Sequence, residues 1–599
     1  MAKPKRIDAT DYKDLSKLYS KGVQNRDPGA TYLHNIHALD TETRDGDIFL
    51  IADSDGDFLD KITLDSVIKF LYCKKFENSW NFFYNIDYDA GVILKLLGER
   101  LYEYKETKRL HYEYDDYVID YLPGKRLRIS KGHHSRIFFD IAQFYHDSLY
   151  NAYQNNIGPL DQNYLQMKTK RGQFSETYYR RNTNKVRQYC IDDCIYTKKL
   201  AQKWITLFYN AFGFYLKRWI SSGYAAEKVL INHGINLPKF DSIPYEIQKL
   251  AYRAYFGGRF EIIKRGFIGT AYLYDINSAY PYAITQIPDL TKGKWVRRKS
   301  VHKNSKMGFF KILADIPDEK YIPPFPFRAN NSIVFPSGKF QTYVTLPELQ
   351  ACYDSKYYKI LDSYQFIPKS NVTYPYQEFI EKMYHKRLEL KQKNDPLQLP
   401  FKIILNSFYG KTGEYDKLTK RIGNLFNPVI FAHITGHTRA QLYQFVIDHG
   451  IERDVVAFAT DSICTTKNLG INSSKLGEFS FEKSANDVFY LQNGFYRFDD
   501  SWKQRGFGKL NGKNIEHLNT IEKDGNLFIK YVQKKNTTLK MAIIQNREKD
   551  IGKIKLKTKK LDLNADRKRQ WFGKLAGIND KSINNSMPLS LNWIRKENI

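Results

Sequence analysis

The sequence predicts a multidomain α/β protein, and three observations carry that reading. The chain has 599 residues, more than a single hydrophobic core normally serves. Apolar residues make up 42% of it, too many for a disordered chain. Short β-like apolar segments also alternate with helical ones along most of its length.

From about residue 31 to 145 the strand-like pieces include "YLHNIHALDTET", "DIFLIAD" and "NSWNFFYNID". Residues 185–218 read as one or two helices. A fresh α/β region opens near 260 with "GFIGTAYLYDINSAYPYAI". Residues 376–410 are helical, with Pro396 and Pro400 expected to break the pattern. Residues 427–450 read as a helix ended by Gly450. The last stretch is basic, "KDIGKIKLKTKKLDLNADRKRQWFGK".

Charge narrows the function classes. Lys and Arg number 94 and Asp and Glu 65, so 94 − 65 gives a net +29, a balance that favours a polyanionic partner. The 45 Tyr and 39 Phe interleave with that charge, as suits single-stranded nucleic acid, whose bases stack and whose phosphates pair with cations. No apolar run reaches membrane-span length, and the N-terminus shows no secretory h-region. The five cysteines, Cys73, Cys190, Cys194, Cys352 and Cys464, are scattered and lack a zinc spacing. Reduced thiols in a cytoplasm are expected, and no membrane partner.

Two sets of carboxylates carry the chemistry. In the first third, Asp40 and Glu42 stand two apart on a strand and share one face. They repel each other unless a cation lies between them. "NIDYDAG" adds Asn85, Asp87 and Asp89, and "YCIDDC" adds Tyr189 and Asp193, one helical turn apart. In this order the motifs resemble those of the proofreading 3′–5′ exonuclease of family B DNA polymerases. The resemblance implies an RNase H-like domain. It implies two divalent metals held by Asp40, Glu42, Asp89 and Asp193, with Tyr189 positioning the attacking water and Asn85 contacting single-stranded DNA.

The second set continues the resemblance into a right-hand polymerase of palm, fingers and thumb. "YLYDINSAYP" places Asp275 at a strand end, before Ser278 and Tyr280, and resembles motif A. Asp275 and the Ile276 carbonyl become metal ligands by that likeness, and Tyr280 becomes the group beneath the incoming sugar that excludes a 2′-OH. "FKIILNSFYG" puts Lys402, Asn406 and Tyr409 on one helix face and resembles motif B. On the preceding helix Arg387 and Lys391 are four apart and are placed at the β- and γ-phosphates. "VAFATDSI" takes the position of motif C, Y-x-D-T-D-S, with Asp461 as the partner of Asp275 and Thr460 beside it at the DNA. Here Ala457 replaces the Tyr and Ala459 the first Asp. "YFGGR" resembles the YxGG linker motif, with Tyr255, Gly257 and Gly258 at the template. "QNGFYRF" offers Tyr496 in a K-x-Y-like place, where Gly494 replaces the lysine and Arg497, Lys503 or Arg505 would compensate.

The chain length suggests the protein-primed subgroup of bacteriophages and linear plasmids. The division expected is an N-terminal extension over 1–30, the 3′–5′ exonuclease domain over 31–215, and a linker over 216–265. Palm follows over 266–284, a TPR1-like insertion over 285–370, and fingers over 371–412. Palm resumes over 413–530 with a reduced TPR2-like hairpin, and thumb and basic tail take 531–599. The likeness implies two Mg²⁺ or Mn²⁺ ions per active site and dNTPs as substrates. It implies primer-template DNA, single-stranded DNA and a terminal priming protein as partners, with the polymerase a monomer. In relatives the second insertion encircles the template and supports strand displacement, so its reduction predicts weaker displacement or processivity unless another element substitutes. Ala459 and Gly494 keep an alternative open, a polymerase-impaired DNA-binding relative that retains mainly exonuclease activity.

Overall fold

The computed structural model describes residues 19–20, 32–170, 174–329, 332–415, 421–505, 520–523, 526–578 and 580–591. The N-terminal domain is built on an eight-stranded mixed sheet. Its centre is Trp80–Phe83, all four residues buried, which pairs in parallel with both Ile36–Arg44 and His134–Asp140. That explains why "WNFF" is a continuous apolar run rather than an alternating one. The helices Leu64–Leu71 and Ile86–Lys95 pack on one face. The 37-residue helix Glu176–Phe212 covers the other. Two helical stretches run on across a kink at Asn182, whose backbone is not helical, and Gly213 ends the second at φ +76°.

The second half is built on a nine-stranded sheet. Its long strand Lys264–Ile276 pairs antiparallel with Phe479–Gln492 and with Ser462–Thr465. Ser462–Thr465 forms a tight hairpin with Val455–Thr460, whose outer side takes Arg259–Ile262. Beneath lies the helix Pro428–Asp448, apolar on every side as befits a helix buried all round. Pro428 occupies its first position, and Asn427 Oδ1 accepts from the Val429 and Ile430 N–H groups.

The helices Gln377–Gln392 and Gln398–Thr412 pack against one another. Residues 393–397, Pro396 among them, separate the two helices. Pro400, expected to break the pattern, sits inside the first turn of the second helix, where an N–H would have no acceptor within the helix and its loss is harmless. Residues 293–368 fold a separate four-stranded antiparallel sheet with the strand order Gly293–Arg297, Tyr358–Pro368, Met307–Ile316, Gly338–Thr345. Among the described residues between the helices Gln398–Thr412 and Pro428–Asp448, the short strand Arg421–Ile422 pairs in parallel with Tyr19–Ser20 from the N-terminal extension. Residues 416–420 of that connection lie outside the described residues.

The C-terminal stretch divides. Asn526–Asn536 and Ile554–Asp562 form a long hairpin with Thr520–Lys523 added at its edge. Ile583–Pro588 then returns to pair with Lys264–Gly266 in the large sheet. The tail expected to form thumb alone therefore also completes the central sheet. Arg569, 2% exposed, is the reason it returns. Its guanidinium reaches Glu261 Oε1 at 2.9 Å, Ser586 Oγ at 2.7 Å and the Tyr321 carbonyl at 3.0 Å.

Candidate active sites

In the large sheet the strand Lys264–Ile276 delivers Asp275 opposite Ser462, one residue after Asp461. Asp461 is the single residue between the two strands of the hairpin. The turn is sharp because Thr460 takes φ +70°, and the Asp461 N–H donates to the Ala459 carbonyl at 2.9 Å. The Ile276 N–H donates to the Asp461 carbonyl at 3.0 Å, which stitches the two acidic segments together. Ser278, at φ +50°, begins the helix Ala279–Thr285. Two non-glycine residues in the left-handed region flank the two carboxylates. Such strain persists where the surrounding structure imposes it, and it concentrates at functional sites.

Electrostatics make the pair a candidate cation site. Burial, then the charge of Asp461, then that of Glu482 push the Asp275 carboxyl up to about 8. Burial and Glu482 push Asp461 up to about 6. Two buried carboxylates raised in this way ionise at neutral pH more readily with a cation beside them. Hard oxygens alone suit Mg²⁺ or Mn²⁺. Glu482, on Phe479–Gln492, belongs to no motif used to read the sequence. In an exposed-looking "FEKS" it carries no local signal, and only the pairing of its strand with Lys264–Ile276 brings it in.

A cleft of about 490 Å³ opens over Asp275 and is lined by Ser278, Arg387 and Lys391 as well as the loop residues Asn472 and Ser473. Arg387 donates to Ser278 Oγ at 3.3 Å. The two basic residues expected at the triphosphate therefore face the motif A acid across one cleft. Lys402 and Asn406 lie exposed on the next helix while the positions between them are mostly buried, so they share its solvent face. Tyr409 turns inward. Its ring lies 4.5 Å from that of Tyr280, and its hydroxyl is 3.0 Å from that of Tyr255. Motifs A and B and the linker motif thus meet in one tyrosine cluster.

The two linker glycines have different reasons. Gly257 takes φ +77° and has open space where a side chain would go, while its carbonyl accepts from Arg439 at 2.5 Å. A Cβ at Gly258 would stand 2.9 Å from Thr460 Cγ2, so that glycine is needed for packing on the motif C turn. Tyr496 stacks on the buried Tyr490 at 4.7 Å.

The N-terminal domain gathers a second acidic site. Asp40 and Glu42 lie on the strand face covered by Glu176–Phe212, and their carboxylates stand within 4.8 Å of each other and of Cys190 Sγ. Burial, then the neighbouring Cys194 and the charges of Asp40 and Glu42, push the Cys190 thiol well up. Tyr189 and Asp193 face inward from the same helix, both buried. Tyr189 stacks on Tyr164 at 5.1 Å, and Tyr164 donates to Asp193 Oδ1 at 2.6 Å. Tyr164 went unread in the sequence, since it lies in a short polar helix, Gln162–Lys170, with no motif around it.

Asp89 arrives at the sheet edge. The parallel pairing of Ile36–Arg44 with Trp80–Phe83 stops at Ala38, which leaves the Thr41 N–H for Asp89 Oδ1 at 3.1 Å. The Thr41 hydroxyl adds a second bond at 2.6 Å. Asn85 starts the helix that carries Asp89 from φ +65°, its N–H held by Asp140 at 2.9 Å. Asp87 turns away to Tyr121 and the Gly124 N–H.

Comparison with known proteins agrees with this arrangement. In overall fold the chain is similar to Phi29 DNA polymerase complexed with primer-template DNA. That match has a TM-score of 0.64 and 14% identity, and it covers 89% of this chain and all of the other. The ternary complex of the same polymerase with primer-template DNA and incoming nucleotide substrates matches at TM-score 0.61 over the same shares. The fold is therefore that of a multidomain polymerase, an RNase H-like exonuclease-type domain followed by palm, fingers and thumb. The profile of DNA polymerase type B, organellar and viral, matches residues 82–424. The chain belongs to that family and is a DNA-directed DNA polymerase. A DNA polymerase of Acidianus bottle-shaped virus (isolate Italy/Pozzuoli) is 25% identical over 557 residues, covering 83% of this chain and 78% of the relative. Among the described residues no helix is long and apolar enough to cross a membrane.

Proposed function

We propose that this polymerase adds dNTPs to a primer 3′-OH at Asp275 and Asp461 and proofreads with a 3′–5′ exonuclease at Asp40, Glu42, Asp89 and Asp193. The observation that carries the reading is the pairing of Asp275 with the Asp461 turn, both carboxyls raised by burial and by neighbouring acids, beneath a cleft walled by Arg387 and Lys391. Two divalent cations in each site, Mg²⁺ or Mn²⁺, would supply charge neutralisation and activation of the attacking oxygen. At the polymerase site Asp275, Asp461 and the Ile276 carbonyl would hold them. Arg387, Lys391 and Lys402 bind the triphosphate, and Asn406 and Tyr409 bound the nascent base pair. Tyr280, wedged by Tyr409, blocks a 2′-hydroxyl.

In the second site Tyr164 and Tyr189 form a stacked wall that fixes Asp193, and Tyr189 orients the water. Tyr255, Gly257, Gly258, Ser278, Thr460 and Tyr496 line the path of primer and template, and Asn85 contacts a frayed single strand. Replication of a linear viral or plasmid genome from a terminal protein fits the chain length and the independent sheet at 293–368.

Primer extension tests this. With Mg²⁺ and dNTPs the wild type should extend a recessed primer. Asp275→Ala and Asp461→Ala should each lower extension by about a thousandfold or more, as expected when a ligand of the reacting centre is lost. The double change Asp40→Ala with Glu42→Ala should abolish primer degradation and spare extension. A wild type that degrades primer and never extends it would instead select the polymerase-impaired alternative.

A further inference from the structure

The helix Pro428–Asp448 carries a polar row along one side. His433, His437 and Gln441 stand at i, i+4 and i+8, so they share a face. His433 is 1% exposed, and the row opens toward solvent at the half-buried His437 and Gln441. Neither His433 ring nitrogen, nor His437 Nδ1, nor Gln441 Oε1 has a hydrogen-bond partner among the described residues. Buried polar atoms are nearly always satisfied, so four such atoms in one row point to a shared partner from outside the chain.

The spacing is that of a chelate. The two imidazole rings have centroids 5.9 Å apart and planes inclined at 52°. A cation about 2.1 Å from one nitrogen of each ring holds the centroids roughly 5–6 Å apart. Two histidines one turn apart on a helix bind metal for that reason. Burial pushes both rings well below the usual imidazole range, and neutral imidazole is the ligating form.

Gln441 extends the row. Its side chain acts back on His437, holding the proton there against burial. Its Nε2 donates to the Gly477 carbonyl at 3.1 Å, which leaves Oε1 as the ligand atom. The Tyr282 ring lies 5.5 Å from that of His437, and the Glu478 charge acts on it. A carboxylate therefore stands close enough to offset part of a cation's charge without ligating it. Two imidazoles and an amide oxygen suit a borderline cation such as Zn²⁺ or Cu²⁺ better than Mg²⁺.

We propose that His433 and His437, with Gln441 Oε1 as third ligand, form a transition-metal site separate from both carboxylate sites. Water completes a four-coordinate shell on the open side. The ion ties the helix to the loop at Gly477, which has no room for a side chain because a Cβ would strike the Tyr282 ring. The same loop supplies Asn472 and Ser473 to the cleft over Asp275, so the ion braces one wall of that cleft without touching nucleotide.

Metal binding to the full chain tests it. Chelator-stripped polymerase, kept in excess Mg²⁺ to fill the carboxylate sites, should bind one equivalent of Zn²⁺ in a calorimeter. Its melting temperature should rise by several degrees, because the ion binds the folded state. His437→Ala, at a half-buried position, should weaken that binding roughly tenfold or more, and so should His433→Leu. The double change Asp40→Ala with Glu42→Ala, which dismantles the other cluster that holds a cysteine, should keep it. Zn²⁺ affinity unchanged in both histidine variants would overturn the site, and so would an equivalent lost with Asp40 and Glu42.

A second measurement needs no variant to fold. With one equivalent of Cu²⁺ as the probe, electron paramagnetic resonance of the unaltered chain should show coupling to two imidazole nitrogens. A spectrum without nitrogen coupling would overturn the proposal by itself. Both readouts use neither DNA nor nucleotide, so they fail separately from any failure to extend a primer.

Discussion

Ala457, Ala459 and Gly494 line a single cavity of about 110 Å³ together with Tyr496, Lys503 and Arg505. These are three of the places where the sequence leaves the motifs it resembles; Ala279, in the Leu position of motif A, is another. The positions of the missing motif C acid and the missing K-x-Y lysine are therefore neighbours in space. Gly494 sits at φ +78°, and a Cβ there would stand 2.5 Å from Arg505 Cβ. The Arg505 N–H donates to the Gly494 carbonyl at 2.6 Å, and its guanidinium covers Phe260 at 4.8 Å. Arg505 thus occupies the ground a lysine at 494 would need, and Lys503 faces Tyr496 across the adjoining strand pair. Ala459→Asp should then be tolerated, because the cavity holds room for a carboxylate and two cations to meet it. The expected outcome is a several-fold rise in single-turnover insertion rate with a melting temperature within a few degrees of wild type. A fall in rate with unchanged stability would show that the cavity is left open for something else, such as a primer phosphate on Lys503 and Arg505.

At the scale of single elements, legibility followed locality. The D-x-E strand, the Tyr-Asp helical turn and the motif B helix were readable because each packs its residues within one period of one element. Glu482 and Tyr164 were not, because strand pairing and helix docking over long sequence separations bring them in. The helix Pro428–Asp448 was read correctly in extent, but its histidines were not singled out. Burial, with His437 adding to it, pushes His433 down to about 3, and burial pushes His437 down to about 4. Neither His433 ring nitrogen has a hydrogen-bond partner among the described residues. Both rings are neutral in the fold and free to protonate near 6.5 once unfolded. Their contribution is therefore fully present above about pH 6.5 and drains away as pH falls toward the folded values. By pH 5 the loss is about 2 kcal/mol for each. His433→Leu, which removes an unsatisfied polar ring, should hold stability at pH 7 and halve the fall in melting temperature between pH 7 and pH 5. An unchanged pH slope in that variant would assign acid sensitivity to other groups.

At the scale of the molecule, the large sheet is held by contacts between segments far apart in sequence, and one of these is charged and dry. Arg259, Glu261 and Arg569 form a buried triad, with side chains 0%, 2% and 0% exposed. Burial opposes ionisation of Glu261, but the pull of Arg259 and Arg569 outweighs it and keeps the carboxyl below its usual range. The triad joins the linker strand beside motif C to the tail that returns at Ile583–Pro588. Basic charge in the last sixty residues reads as a solvated face or a grip on phosphate, because nothing local in "RKRQWFGK" reveals which arginine turns inward. Removing the single carboxylate leaves two guanidiniums buried against each other, the expensive way to break such a group. Glu261→Gln should therefore cost about 3–5 kcal/mol and free the C-terminal segment to protease before the rest of the chain unfolds. Arg569→Met leaves Arg259 and Glu261 as a neutral pair and should cost less. If the two variants lose equal stability, or if the tail stays protected in Glu261→Gln, the triad is not what fastens the C-terminus to the palm.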